Sequence, residues 1–144
     1  MTFDLNNYLG KWYEVARISN EFEPEMKNVI AQYSLFEPGF IQVINSGYIE
    51  GELKQIIGVA KLTDQPGLLK VSFFPGIYSS DYKILYIDED YQYALVGGNS
   101  KNYLWILSRI PDIDSSVLLR LVNIAKENDY NTDKIIMTKH DNEL

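Results

Sequence analysis

Apolar and polar residues alternate along most of the chain, in short segments that are separated by turn residues. Alternation with a period of two residues is typical of β-strands that bury one face. The pattern predicts eight strands, at residues 11–18, 29–36, 41–49, 53–62, 68–74, 82–88, 91–97 and 103–109.

Most connections between these segments are short, and Pro38-Gly39 is a strong turn signal. A run of eight strands without long crossovers predicts an antiparallel up-and-down barrel, because closure removes exposed strand edges. The first connection, residues 19–28, is longer and polar. It is expected either to lie over one mouth of the barrel or to form a surface loop that packs Phe22.

The pattern changes to helical spacing over residues 114–128, where one face is apolar. Asp114 is a suitable N-cap, and Lys126 lies in the last turn, where the helix dipole favours a cation. We therefore expect one C-terminal helix packed outside the barrel. A last apolar run at residues 134–138 predicts a short final strand on the barrel edge.

Trp12 and Arg109 indicate which strand face is inside. The first and eighth strands are neighbours in a closed barrel, and antiparallel pairing brings Trp12 and Arg109 to the same end. An arginine on an indole face gains roughly 0.5–2 kcal/mol, and its donors can satisfy backbone carbonyls. Gly10 would let the chain turn beneath the barrel while Trp12 plugs it. The sequence predicts a structural role for this pair.

Composition limits the kinds of function. The 144 residues carry a formal net charge of −7, which argues against nucleic-acid binding because phosphate recognition needs a basic surface. There are no cysteines, so the chain has no disulfides, catalytic thiols or thiolate metal sites. No apolar run approaches the ~20 residues of a membrane helix.

Five segments together resemble the lipocalin family. Three match its signature regions: Gly10-Lys11-Trp12-Tyr13-Glu14, the later YKILYIDEDYQYALVGG and the closing YLWILSR. VINSGY and KVSFF are similar to the bacterial lipocalins of the outer-membrane lipoprotein type, which are related to apolipoprotein D. The resemblance covers residues 8–138. It implies one lipocalin domain over residues 1–144: an all-β, eight-stranded barrel with a helix outside and an apolar cavity for a fatty acid or lysophospholipid.

Alternation and the strands that usually line lipocalin cavities give a set of candidate ligand-binding residues. Glu14 is expected to orient a polar group, with a tyrosine or Asn45 as its partner, because a carboxylate in an apolar cavity must be hydrogen-bonded or neutralised. The full set is Glu14, Ala16, Tyr33, Val43, Asn45, Val71, Phe73, Tyr82, Ile84, Tyr86, Trp105 and Leu107.

Catalysis, metals and cofactors are not expected. The only histidine, His140, follows the predicted barrel, so a Ser-His-Asp triad or a cluster of histidine ligands cannot be built in the cavity. The alternative function is that of a structural or interaction protein with a filled barrel. Leu104 and Ile106 would then face a partner on the outer wall, unless they lie beneath the C-terminal helix.

The expected partner is a small hydrophobic ligand, bound by a monomer or a homodimer. The resemblance implies the cell envelope, on the periplasmic side of an outer membrane. The alternative is the cytoplasm, because the sequence shows neither a signal peptide nor an acylated cysteine. Membrane association is expected only if a lipidated leader precedes this sequence.

Overall fold

The computed structural model describes residues 2–18, 26–73 and 80–141. Its strands are β1 (Gly10–Ile18), β2 (Lys27–Glu37), β3 (Phe40–Ile49), β4 (Glu52–Leu62), β5 (Leu68–Ser72), β6 (Ser80–Ile87), β7 (Tyr93–Gly97), β8 (Leu104–Ser108) and β9 (Ile136–Met137). Its helices are α1 (Leu5–Tyr8), α2 (Ser115–Glu127) and one 3₁₀ turn (Thr132–Lys134).

The first eight strands pair antiparallel with their neighbours in chain order, and β1 pairs with both β8 and β2. This closes the sheet into the predicted eight-stranded barrel. The predicted strand ends shift by a few residues. The first seven residues of the predicted 19–28 connection, residues 19–25 with Phe22, and the predicted strand end at residue 74 lie outside the described residues.

Irregular pairing in β1 and β6 changes which side chains face inward. The register of β1 against β8 shifts between Glu14 and Ala16, and that of β6 against β7 shifts between Ile84 and Tyr86. A β-bulge adds one residue to one strand, so strict alternation fails beyond it.

The wall of the barrel separates two apolar clusters. The inner cluster includes Trp12, Tyr33 and Leu69, and the outer cluster joins Leu104 and Ile106 to Leu121 on α2. Leu104 and Ile106 are fully buried beneath the helix, so they do not form the exposed partner surface of the alternative function.

The helix α2 follows the prediction in position but not in its cap. Asp114 is the N-cap residue, yet its carboxylate makes no capping hydrogen bond. The helix is instead held by burial of Leu121 and Ala125 against the barrel. The short helix α1 was not predicted. Its cap is Asp4, whose carboxylate accepts from the Asn6 amide at 3.0 Å.

The end of the chain bonds to two strands of the barrel. The strand β9 pairs antiparallel with β1, and the Thr138 amide donates to the Val15 carbonyl at 2.9 Å. The Asn28 amide at the start of β2 donates to the Lys139 carbonyl at 2.9 Å. The predicted final strand is therefore present, and it supports the barrel beside β1. No helix in the described residues is long and apolar enough to cross a membrane.

Candidate ligand-binding cavity

Trp12 and Arg109 close one end of the barrel, as the sequence predicts. Trp12 is fully buried, and the guanidinium carbon of Arg109 lies 3.8 Å from the centroid of the Trp12 ring. Arg109 also donates to three backbone carbonyls, those of Tyr91 at 3.1 Å, Lys11 at 2.9 Å and Asn7 at 2.8 Å. The guanidinium thus joins the start of β1 to the turn before β7.

Gly10 and Tyr8 complete this closed end. Gly10 has a φ of +102°, a conformation that favours glycine, and a Cβ there would lie 3.4 Å from Nη1 of Arg109. The indole nitrogen of Trp12 donates to the Tyr8 carbonyl at 2.8 Å. The turn beneath the barrel therefore lies in contact with the arginine.

A partly open cavity of about 430 Å³ lies inside the barrel beyond this plug. This volume is within the range of ~300–1,000 Å³ that is usual for small-molecule sites. Its wall is mostly apolar and aromatic, with polar groups at a few points. The side chains that the structure describes therefore leave part of the barrel interior open.

Nine of the twelve candidate residues line the cavity. They are Glu14, Tyr33, Val43, Asn45, Val71, Phe73, Tyr82, Trp105 and Leu107. Phe73 is accommodated by Gly58, where a Cβ would lie 2.7 Å from the phenylalanine ring.

Three candidates do not line the cavity. Ala16 is buried in the outer cluster because the bulge in β1 reverses its direction. Tyr86 lies outside for the same reason in β6, and its hydroxyl accepts from Nη2 of Arg120 on α2 at 2.6 Å. Ile84 belongs to the inner cluster but does not contribute to the cavity wall, because it is packed against its neighbours there.

Several lining residues were missed. Alternation on β2 and β7 was a sufficient signal for Ala31 and Val96, whereas the bulge that turns Arg17 inward leaves no clear mark in the sequence. The lining residues that were not predicted are Arg17, Met26, Val29, Ile30, Ala31, Ser80, Asp81, Val96, Gly98, Asn99 and Tyr103.

Glu14 is the one buried carboxylate of the described residues, and only 6% of it is exposed. It accepts from the Thr138 hydroxyl at 2.5 Å and from Nη1 of Arg17 at 3.3 Å. The predicted partner of Glu14, a tyrosine or Asn45, is therefore wrong. The donors are Thr138, which follows β9, and Arg17, which the bulge in β1 turns inward. Burial raises the pKa of Glu14, and the Thr138 and Arg17 contacts lower it in part.

His140 lies against the outer side of β1. Its Nε2 is 2.6 Å from the Glu14 carbonyl oxygen, and its ring packs edge-on against Tyr13. Within residues 2–18, 26–73 and 80–141, no three His, Asp or Glu side chains are grouped so that they could hold a metal ion.

Three tyrosine hydroxyls meet at the bottom of the cavity. The Tyr82 hydroxyl lies 2.7 Å from that of Tyr33 and is also hydrogen-bonded to that of Tyr8. Tyr33 and Tyr82 line the cavity, whereas Tyr8 packs beneath them against Trp12. We refer to Tyr8, Tyr33 and Tyr82 as the tyrosine floor.

The remaining polar groups of the wall include Asp81 and Asn99. Asp81 forms an ion pair with Lys70 and lies 3.8 Å from Nζ of Lys83, and its amide donates to Oδ1 of Asn99 at 2.5 Å. Arg17 adds a guanidinium to the same cavity. Charge of both signs is thus present on the cavity wall.

Comparison with known proteins agrees with this architecture. A model of the lipocalin-like domain matches residues 3–140. The outer membrane lipoprotein Blc of Vibrio cholerae is 43% identical over 139 residues, covering 93% of this chain and 81% of that protein. Mouse apolipoprotein D is 33% identical over 150 residues, with 97% and 78% coverage.

Solved structures show the same fold at lower identity. Lobster apocrustacyanin A1 superposes with a TM-score of 0.74 at 20% identity, covering 93% of this chain and 78% of that one. The cockroach allergen Per a 4 gives 0.74 at 23% identity, with 96% and 89% coverage. The chain therefore belongs to the lipocalin family, as a relative of the bacterial outer-membrane lipoproteins and of apolipoprotein D.

Proposed function

We propose that this lipocalin binds a fatty acid or lysophospholipid, for storage or transport, with the acyl chain inside the barrel and the head group near the mouth. The observation that carries this proposal is the partly open cavity of about 430 Å³ with its largely apolar wall. Family membership supports the coarser statement that the ligand is small and hydrophobic.

Burial of an acyl chain provides the driving force. Each buried methylene contributes about 0.8 kcal/mol, before the costs of ordering the chain and of association. The side chains of Val43, Val71 and Leu107 offer aliphatic contacts for such a chain. No covalent chemistry is needed for this function, so we propose a binding protein rather than an enzyme.

Polar groups on the wall would contact the head group. Arg17 uses Nη1 for its hydrogen bond with Glu14, and a guanidinium has five donors in total. A carboxylate or phosphate near Arg17 would therefore gain charge-assisted hydrogen bonds. Asn99 and Ser80 add neutral polar groups to the same wall.

For location we propose the cell envelope, because the bacterial relatives are named as outer membrane lipoproteins. The proposed partner is the lipid itself, bound by a monomer or a homodimer. The net charge of −7 supports neither nucleic-acid binding nor adsorption to anionic lipid by charge alone.

Two adjacent positions on β3 give a matched test. Val43 lines the cavity, and Ile44 points to the opposite face of the strand. We expect Val43→Trp to abolish or strongly weaken binding of a fluorescent fatty acid, because the indole occupies the space of the acyl chain. Ile44→Trp should bind like the unmodified protein. Equal binding by all three proteins would contradict a site inside the barrel.

A further inference from the structure

We propose that the tyrosine floor is a hydrogen-bonding subsite for a neutral oxygen group, a hydroxyl or a ketone, on the deep end of the ligand. This rests on the proposed function, in which the polar head stays near the mouth. It adds that the preferred ligand carries polar groups at both ends. A purely hydrocarbon tail would leave the remaining hydrogen-bonding capacity of the floor unused.

The floor is built from opposite sides of the barrel. Tyr33 lies on β2 and Tyr82 on β6, which are four strands apart in a closed ring of eight. Their hydroxyls nonetheless meet at 2.7 Å. The two side chains therefore cross the interior and place phenol oxygens at the deep end of an otherwise largely apolar cavity.

The three hydroxyls of the floor have more hydrogen-bonding capacity than their mutual contacts use. Three phenol oxygens carry three donor hydrogens and six lone pairs. The contacts of Tyr82 with Tyr8 and with Tyr33 use two hydrogens, and the interaction between Tyr8 and Tyr33 can take the third. Three lone pairs then stay free on the phenol oxygens.

Tyr33 and Tyr82 belong to the cavity wall, so free lone pairs on their oxygens can accept from a ligand hydroxyl. A ligand ketone can accept the Tyr33 hydrogen in exchange for the interaction of Tyr33 with Tyr8. The floor can thus serve a hydroxyl directly and a ketone by exchange of one internal contact.

The chemistry of the floor selects a neutral group. Burial raises the pKa of all three phenols, that of Tyr33 to about 12, so they stay protonated at physiological pH. Arg109 lies near Tyr8 and lowers its pKa in part, but burial outweighs this charge, and three of the five guanidinium donors are held by backbone carbonyls. A carboxylate at the floor would meet the same burial, which disfavours its charged form.

Matched ligands test the subsite directly. The probes are palmitic acid and ω-hydroxypalmitic acid, together with lauric acid and ω-hydroxylauric acid to cover two chain lengths. The quantity measured is the ratio of the Kd of the hydroxy acid to that of its parent. A buried hydroxyl that finds no partner weakens binding by about tenfold or more.

We expect a ratio near one for the unmodified protein at one chain length or both. The double variant Tyr33→Phe/Tyr82→Phe, which removes both hydroxyls from the wall, should raise that ratio about tenfold. Tyr86→Phe is the matched control, because its hydroxyl lies outside the barrel, and it should leave the ratio unchanged. An equal ratio in all three proteins would overturn the proposal.

A second measurement does not depend on the double variant folding. Binding of the ω-hydroxy acid to the unmodified protein should perturb the near-ultraviolet absorbance of tyrosine more than binding of the parent acid does. Equal perturbation by both ligands would overturn the subsite. Failure of both parent acids and of a lysophospholipid with a palmitoyl chain to bind would instead refute the proposed function, so the two failures are distinguishable.

Discussion

The two ends of the barrel interior use similar side chains in different ways. At the closed end, Trp12 is fully buried, its nitrogen is hydrogen-bonded and Arg109 covers its ring. In the cavity, Trp105 and Tyr103 stack on each other and face open space. An inward-facing aromatic residue is therefore not by itself evidence of a ligand site. The two ends differ in how the aromatic ring is surrounded: other side chains enclose Trp12, whereas Trp105 and Tyr103 are partly open to the cavity.

The largest expected effect is a loss of stability when a leucine of the inner cluster is replaced by alanine, and two such leucines can be compared. Leu69 is 1% exposed and lies away from the cavity wall, whereas Leu107 is 4% exposed and lines it. Leu→Ala in a core costs about 2–5 kcal/mol, depending on the neighbours lost. Leu69→Ala should fall at the upper end of this range and Leu107→Ala at the lower end. Urea unfolding measures both, and equal losses would contradict the difference between packed and open regions.

Arg109→Ala should lower the free energy of unfolding by about 2–4 kcal/mol, because it removes the stacking on Trp12 and strands carbonyls that the guanidinium satisfied. Arg109→Lys should recover only part of this loss, since an ammonium lacks the flat fork. The affinity of the folded fraction for a fatty acid should stay unchanged. A variant that unfolds like the unmodified protein but no longer binds lipid would show that Arg109 anchors the ligand.

Glu14 should make stability depend on pH. Its pKa is raised above 4.5 in the folded protein, so the fold retains a proton that the unfolded chain releases. This contribution is complete below the unfolded pKa and is lost as the pH rises through the folded value. Glu14→Gln stays neutral, so its stability relative to the unmodified protein should increase as the pH rises above 4.5.

Urea unfolding at several pH values measures this difference. Both proteins keep Arg17 and His140, so the difference in their pH dependence reports the ionisation of the Glu14 carboxyl. Glu37→Gln, on the exposed end of β2, is the control for loss of one surface carboxylate. A stability difference between Glu14→Gln and the unmodified protein that is constant with pH would contradict the burial of Glu14.

The smallest effect is expected for Tyr86→Phe. It removes one hydrogen bond to Arg120 on the outside of the barrel, and changes at such surface positions usually stay within about 0.5 kcal/mol. Fatty-acid affinity should not change, because Tyr86 does not line the cavity. A marked loss of affinity on titration would return Tyr86 to the ligand site.

The regular parts of the fold could be predicted because they depend on local patterns. Alternation and turn residues predict the eight strands, and helical spacing predicts α2. Chain-order pairing in a closed barrel then places Arg109 on Trp12. The bulges could not be predicted, since they are set by pairing between distant strands. They account for the wrong placement of Ala16 and Tyr86 and for the omission of Arg17 from the candidate set.

The tyrosine floor and the partners of Glu14 also depend on distant contacts. Tyr33 and Tyr82 are 49 positions apart, and Thr138 follows Glu14 by 124. Alternation identifies Tyr33 and Tyr82 as inward-facing but does not show that their hydroxyls meet. The volume of the cavity likewise follows from how completely the inward side chains fill the barrel, as where Gly58 makes room for Phe73.

Native mass spectrometry of the protein, purified without detergent, shows whether the cavity holds a lipid. We expect a bound mass that matches a fatty acid or lysophospholipid, present in the unmodified protein and in Ile44→Trp but lost from Val43→Trp. If no lipid co-purifies and no added fatty acid or lysophospholipid binds below millimolar concentration, the claim that the cavity is a lipid site is contradicted.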